Sequence, residues 1–226
     1  MRQFDLIVFD WDGTLMDSER KIVNCLRAAA QDCGLVPPAP AAARHIIGLG
    51  LEEALARLFP TLEATAKARV IAAYREHFLV KDSTDTPLFQ GVIEGLQTLH
   101  EHGYRMAVAT GKARRGLERV LALTGTSHWF CSTRCADEAG SKPHPQMLHD
   151  ILAATGVAPT RALMIGDTTY DLQMARNAGL AALGVSYGVH ERAALAACEP
   201  LAIMDSFPEI PAWLTRTRAA SAPAHN

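Results

Sequence analysis

The sequence predicts a doubly wound α/β sandwich around a parallel sheet, with an α-helical domain inserted after the first strand. Two observations carry this. Short, nearly continuous apolar runs end in polar or Gly-containing turns and lead into helical patterns, as expected for parallel strands buried on both faces. The alternation then fails over one long stretch, from about Asp17 to Lys81, where only helical periodicity is present.

The first strand is Phe4 to Phe9 (FDLIVF). The segment after it is rich in Ala, Leu, Glu and Arg, and is interrupted by Pro37, Pro38 and Pro40 and by the Gly48-Leu49-Gly50 turn. It reads as three or four helices, too many for one crossover. Its exits are Leu15 to Ser18 and the polar run Asp82 to Pro87. The second strand is Tyr104 to Ala109 and the third clear one Arg161 to Ile165. Leu180 to Val185 and Leu201 to Met204 are shorter, and His128 to Ser132 is weaker. Helices are expected over Val92 to His102, Arg114 to Leu123, Pro145 to Thr155 and Leu172 to Ala178. Residues 1–16 and 83–215 are therefore expected to form the α/β core and 17–82 an inserted helical domain. The polar tail, 216–226, is expected to be disordered.

Bulk properties narrow the function. With 22 Lys and Arg against 24 Asp and Glu, the net charge is -2, which gives no basic stripe for nucleic acid. No apolar run reaches the length needed to span a bilayer, and Asp5, Asp10 and Asp12 break up any signal-peptide core. Five cysteines without framework spacing read as reduced thiols, and the protein is expected in the cytoplasm. Cys131 and Cys135 lack partners for a zinc site. The oligomeric state is open between monomer and homodimer.

In an open parallel sheet, ligands bind beyond the carboxyl ends of the strands. The first strand delivers Asp10-Trp11-Asp12-Gly13-Thr14 and the second Thr110-Gly111-Lys112. The third delivers Gly166-Asp167-Thr168-Thr169-Tyr170-Asp171, and Ser141-Lys142-Pro143-His144-Pro145 opens a helix. This inventory suits phosphoryl transfer through a carboxylate. A phosphate dianion near a carboxylate is repelled by about 4 kcal/mol per charge pair at 4 Å and an effective dielectric near 20. A hard cation such as Mg²⁺, bound by one or two carboxylates and a substrate oxygen, offsets that repulsion. Asp10 and Asp167 fit as ligands, Lys142 as a second positive charge, and Thr110 as a hydroxyl donor. Backbone N–H groups around Gly13 can also donate to phosphate.

In order, DWDGT, ATG, SKPHP and IGDTTYD resemble the four motifs of the haloacid dehalogenase superfamily. The helical insert, FQGV near residue 90 and MARNAG after the last motif are similar to its phosphoglycolate-phosphatase-like branch, which has a small α-helical cap. The resemblance implies a Rossmann-like core and a Mg²⁺-dependent phosphatase acting on a small phosphorylated metabolite, with phosphoglycolate the first candidate. Asp10 would form an aspartyl-phosphate while binding Mg²⁺. Asp12 would act as general acid and then base, its backbone carbonyl also binding Mg²⁺. Thr110, Gly111 and Lys142 would hold the phosphate. Asp167 would ligate the metal, and Asp171 would hold it directly or through water. A β-phosphoglucomutase-like phosphosugar mutase is the alternative, since it uses the same Asp pair but returns the phosphate to substrate. A non-catalytic binding module could dispense with Asp10, Asp12 or Lys142, all of which are present.

Several neighbouring residues read more plainly. Asp17 and Ser18 are expected to cap the first inserted helix, and Lys112, with Arg114, Arg115 and Arg119, to form a solvated basic face, the alternative being a site for a substrate carboxylate. Asp167 with Asp171 could alone be a carboxylate cluster at a helix N-terminus. Neither Gly111-Lys112 nor Gly48-Leu49-Gly50 completes a phosphate-loop motif. His45 to Glu52 reads either as the segment of the insert that faces the site, because its Gly-x-Gly turn can approach closely, or as a simple inter-helix turn.

Overall fold

The computed structural model describes the backbone of residues 2–220 and the side chains of 2–216. A six-stranded parallel sheet lies at its centre: β1 (Leu6–Phe9), β2 (Arg105–Thr110), β3 (Phe130–Cys135), β4 (Ala162–Gly166), β5 (Ala181–Val185) and β6 (Ile203–Met204). The order is β3-β2-β1-β4-β5-β6, so β1 is central, paired with β2 on one side and β4 on the other. The chain switches direction beside β1, the position where open sheets form a ligand crevice.

Strand β1 has no solvent face, which explains its unbroken apolar sequence. Ile7 and Phe9 join the core on one side, with Val92, Leu96, Leu117, Phe207 and Ile210. Leu6 and Val8 point the other way, against Met147, Ile151, Met164, Leu172 and Met174. The covering helices are α5 (Val92–Glu101), α6 (Arg114–Thr124), α7 (Gln146–Thr155), α8 (Thr169–Asn177), the short α9 (Arg192–Ala196) and α10 (Glu209–Ala220).

Between β1 and β2 the chain forms α1 (Glu19–Asp32), α2 (Pro40–His45), α3 (Leu51–Leu58) and α4 (Ala64–Glu76), the last continuing into a wider π turn, His77–Lys81. These helices have their own core of Leu26, Ala29, Ala43, Ile46, Leu49, Leu55 and Val70. It also takes in Tyr170 from α8. Their two connections to the sheet are joined: Asp17 N–H donates to Pro87 O, Phe89 N–H donates to Leu15 O, and Met16 bridges Leu88.

Element boundaries differ from expectation in physically clear ways. The weak third-strand signal at His128 to Ser132 is a 3₁₀ turn, Ser127–Trp129, followed by β3. Residues 216–220 continue α10, whose Ile210 and Leu214 are anchored in the core. Only 221–226 of the expected tail lie outside the described residues. Ser18 occupies the N-cap position of α1 without making a side-chain cap bond, and Asp17 is exposed. All five cysteines are free thiols. Among the described residues, no helix is long and apolar enough to cross a membrane.

Candidate active site

Asp10, Thr110 and Asp167 stand at the carboxyl ends of β1, β2 and β4, three adjacent strands, and Lys142 joins them from the loop before α7. All four are buried, as are Asp12 and Asp171. Lys142 Nζ lies 2.7 Å from Asp10 Oδ1 and 2.6 Å from Asp171 Oδ1. One oxygen from each of Asp10, Asp167 and Asp171 lies within 4.8 Å of the others. Asp10 Oδ2 is buried without a hydrogen-bond partner, unusual for a group so costly to desolvate.

This cluster sets three carboxylates against one ammonium. Burial pushes the Asp10 carboxyl well above its usual range; Lys142 opposes that shift, and Asp171 and Asp167 reinforce it. Asp167 is raised to about 7, by burial first and then by Asp171. Burial alone would lower Lys142, but Asp10 and Asp171 outweigh it and the ammonium is held charged. The local surplus of two negative charges is what a divalent cation neutralises, and an all-oxygen donor set suits Mg²⁺. The residues therefore fit that ion.

Asp167 is held from two sides. Thr14 Oγ1 donates to its Oδ1 at 2.8 Å, and Val189 N–H donates to its Oδ2 at 2.8 Å. Gly13, at φ +83°, and Gly188 leave room for that carboxylate, which a Cβ at either position would overlap. Asp171 uses both of its oxygens. Beside its Lys142 contact, its Oδ2 accepts from Thr168 N–H at 3.1 Å and Thr168 Oγ1 at 2.6 Å. Thr168 in turn caps α8, completing a capping box. Asp171 is thus a helix-terminal carboxylate that also stands in the three-carboxylate cluster.

Asp12 is not one of the three clustered carboxylates and has its own partners. Its Oδ1 accepts from Ser18 Oγ at 2.5 Å and lies 2.8 Å from Lys112 Nζ. The structure thus corrects two readings. Ser18 is a partner of Asp12 because its hydroxyl turns inward, and Lys112 is removed from solvent, its side chain only 8% exposed. Arg115 and Arg119 are exposed as expected, whereas Arg114 pairs with Glu138 and Thr133. Lys112 Nζ also sits 5.0 Å from the Phe78 ring centroid in the insert's π turn.

The Gly48-Leu49-Gly50 turn closes over the strand ends. Gly50 N–H donates to Ser141 Oγ at 2.9 Å, and Gly48 rests on Thr168. A Cβ on Gly111 would come within 2.6 Å of the Gly48 and Leu49 carbonyl oxygens, so only glycine lets the turn approach there. Thr110 Oγ1 accepts from Lys112 N–H at 3.2 Å.

Known proteins bear on this geometry. The family model described as haloacid dehalogenase-like hydrolase matches residues 7–185. The chain belongs to the haloacid dehalogenase-like hydrolases. It is an enzyme of the phosphatase type, a phosphoric monoester hydrolase. This hydrolase is similar to "Probable phosphatase IndB" of Dickeya dadantii, 37% identical over 211 residues, covering 91% of each chain. It is similar to a phosphoglycolate phosphatase of Nitrosococcus oceani, 30% identical over 216 residues and covering 93% of this chain and 96% of the other. A solved haloacid dehalogenase-like family hydrolase from Streptococcus pneumoniae superposes with a TM-score of 0.81 at 26% identity, covering 93% of this chain and 98% of that one.

The loop after β5, Ser186 to His190, escaped the sequence reading of this hydrolase. Tyr187 Oη donates to Thr14 O at 2.9 Å, and Val189 holds Asp167. The signal was available: the loop follows a strand end, as do the loops that carry Asp10, Thr110 and Asp167. It carries no carboxylate or lysine, so a search by charged inventory passes over it.

Proposed function

We propose that this hydrolase is a Mg²⁺-dependent phosphatase that cleaves a small phosphomonoester through an aspartyl-phosphate on Asp10, with phosphoglycolate the first substrate to test. The observation that carries the reading is Asp10 itself: a buried carboxylate with one oxygen beside Lys142 and the other without a partner. Relatives named as phosphoglycolate phosphatases support the choice of substrate.

Mg²⁺ would be held by Asp10, Asp167 and the Asp12 backbone carbonyl, with Asp171 beside them, and supplies positive charge against the phosphate–carboxylate repulsion. The Asp10 carboxylate attacks phosphorus as the bond to the leaving oxygen breaks. Asp12 gives its proton to that oxygen. Water then attacks phosphorus and passes a proton to Asp12, the bond to Asp10 breaks, and phosphate departs. Lys142, the Thr110 hydroxyl and the Gly111 N–H orient the phosphoryl oxygens. Lys112 and Ser18 fix the direction of the Asp12 carboxylate.

The test incubates the protein with phosphoglycolate, p-nitrophenyl phosphate and a panel of phosphosugars, in Mg²⁺ or EDTA. Release of inorganic phosphate that requires Mg²⁺ is expected. Activity that persists in EDTA would sink the metal assignment. Isomerised phosphosugar without net phosphate release would make the protein a mutase. Asp12→Asn should cost about 10²–10⁴ in rate, most for poor leaving groups. Equal losses for alkyl and nitrophenyl phosphates would remove the acid role.

A further inference from the structure

In the loop after β5, the main chain of Val189 and His190 faces Asp167, while the side chains of these two residues face the helical insert. Val189 N–H donates to Asp167 Oδ2 at 2.8 Å and His190 N–H donates to Asp167 O at 3.3 Å. The Val189 side chain packs with Ile22 and Ile47 of the insert. The His190 ring stacks on His45, centroids 4.7 Å apart and planes within 10°. Gly188 O accepts from Arg44 Nη2 at 3.3 Å. Residues 188 to 190 thus touch the insert by side chain or carbonyl, and 189 and 190 hold Asp167 by main chain.

The imidazole is fully committed in this arrangement. His190 Nδ1 accepts from Thr169 N–H at 3.1 Å, in the first turn of α8, so the proton sits on Nε2, which donates to His45 O at 3.1 Å. Tyr170 Oη donates to the same carbonyl at 3.1 Å. One ring nitrogen is therefore tied to the segment carrying Asp167 and Asp171, and the other to the end of α2. A ring tied at both nitrogens in a close-packed setting leaves that seat as a step and not by small drifts.

We infer that His190 is a positioning residue that couples the seating of the helical insert to the orientation of the Asp167 carboxylate. With the insert seated, His45 O and the His45 ring hold His190, and the 189–190 backbone presents both N–H groups to Asp167. With the insert displaced, the ring loses its acceptor and its stacking partner, and Oδ2 loses its fixed donor. Metal affinity then depends on the position of the insert. The inference rests on the reading of Asp167 as a metal ligand.

The test measures Mn²⁺ binding, as a stand-in for Mg²⁺ on oxygen ligands, by electron paramagnetic resonance on the full chain freed of metal. Outer partners of metal ligands commonly control affinity by 10–100-fold, so His190→Ala should weaken Mn²⁺ binding about tenfold or more. His190→Asn keeps an oxygen that can accept from Thr169 N–H and should recover part of that loss. His45→Ala, in the insert and without contact to any carboxylate of the cluster, should weaken binding in the same direction by several-fold. Thermal unfolding in EDTA identifies the variants that fold. If His190→Ala fails to fold, the other two decide the matter. Folded variants that all bind Mn²⁺ within twofold of wild type, whatever their stability, would overturn the coupling and leave the metal reading intact. A wild-type protein that binds no Mn²⁺ would overturn the metal reading and the inference with it.

Discussion

Lys112 Nζ lies 2.8 Å from Asp12 Oδ1, and the pair is largely buried beneath Phe78 of the insert. The lysine follows β2 and the aspartate follows β1, so the contact exists only because those strands are neighbours. Lys112→Met would leave Asp12 with Ser18 as its remaining side-chain partner. A charged hydrogen bond is worth about 1.5–3 kcal/mol, or roughly 3–12 °C in Tm for a chain of this size. The variant should lose stability in that range and should also lose turnover, because the Asp12 carboxylate is no longer aimed. An unchanged Tm and kcat would mean that the pair is incidental.

Asp10→Asn separates catalysis from stability. Burial, Asp171 and Asp167 all oppose an ionised Asp10, although Lys142 favours it. A neutral amide of the same shape removes that strain from the metal-free protein. Turnover should fall by at least about 10⁴-fold, as for loss of a nucleophile, while Tm in EDTA at pH 8 holds or rises. A variant that kept appreciable activity would refute the nucleophile assignment.

The legible part of this molecule was the part written in strand ends. Asp10, Thr110, Asp167 and Lys142 could be grouped because each follows an apolar run or opens a helix, and parallel topology brings such loops together. What could not be read depended on which way a side chain turns. Ser18 carries the same sequence signal whether it caps α1 or bonds to Asp12. Lys112 sits in a basic run, and only the insert above it removes it from water. The 186–190 loop acts through main-chain N–H groups, which every residue but proline possesses. The extent of α10 was missed because residues 216–220 (RTRAA) include no large apolar residue, whereas its anchors, Ile210 and Leu214, lie before them.

The raised pKa values of Asp10 and Asp167 predict how stability depends on pH and metal. Asp167 titrates near 7 in the folded protein against an ordinary value of 3.8, so between those limits the folded state binds more protons than the unfolded one. Stability of the metal-free protein therefore falls as pH rises through that window. Asp10 is shifted the same way and adds to the effect. In EDTA, Tm should drop by a few degrees from pH 5 to pH 8. Mg²⁺ should restore it, and more strongly at pH 8, where Asp167 carries less of a proton for the ion to displace. Differential scanning fluorimetry at the two pH values checks both signs. A metal-free Tm that rose with pH would mean the carboxylates are already balanced by charges within the protein.

Gly13→Ala tests how tightly the Asp167 carboxylate is confined. Gly13 has a φ of +83°, and an added Cβ would overlap Asp167 Oδ2. The carboxylate cannot simply step aside, because Thr14 Oγ1 holds one oxygen and Val189 N–H the other, while Gly188 backs it at contact distance. The strain must move either the Asp10–Thr14 turn or Asp167. A displacement of about 1 Å at a catalytic group can cost on the order of 10²-fold in rate. Turnover should fall by about that factor, and the Mg²⁺ concentration for half-maximal activity should rise. Loss of rate at unchanged Mg²⁺ dependence would place the damage at Asp10 and Asp12 instead of Asp167.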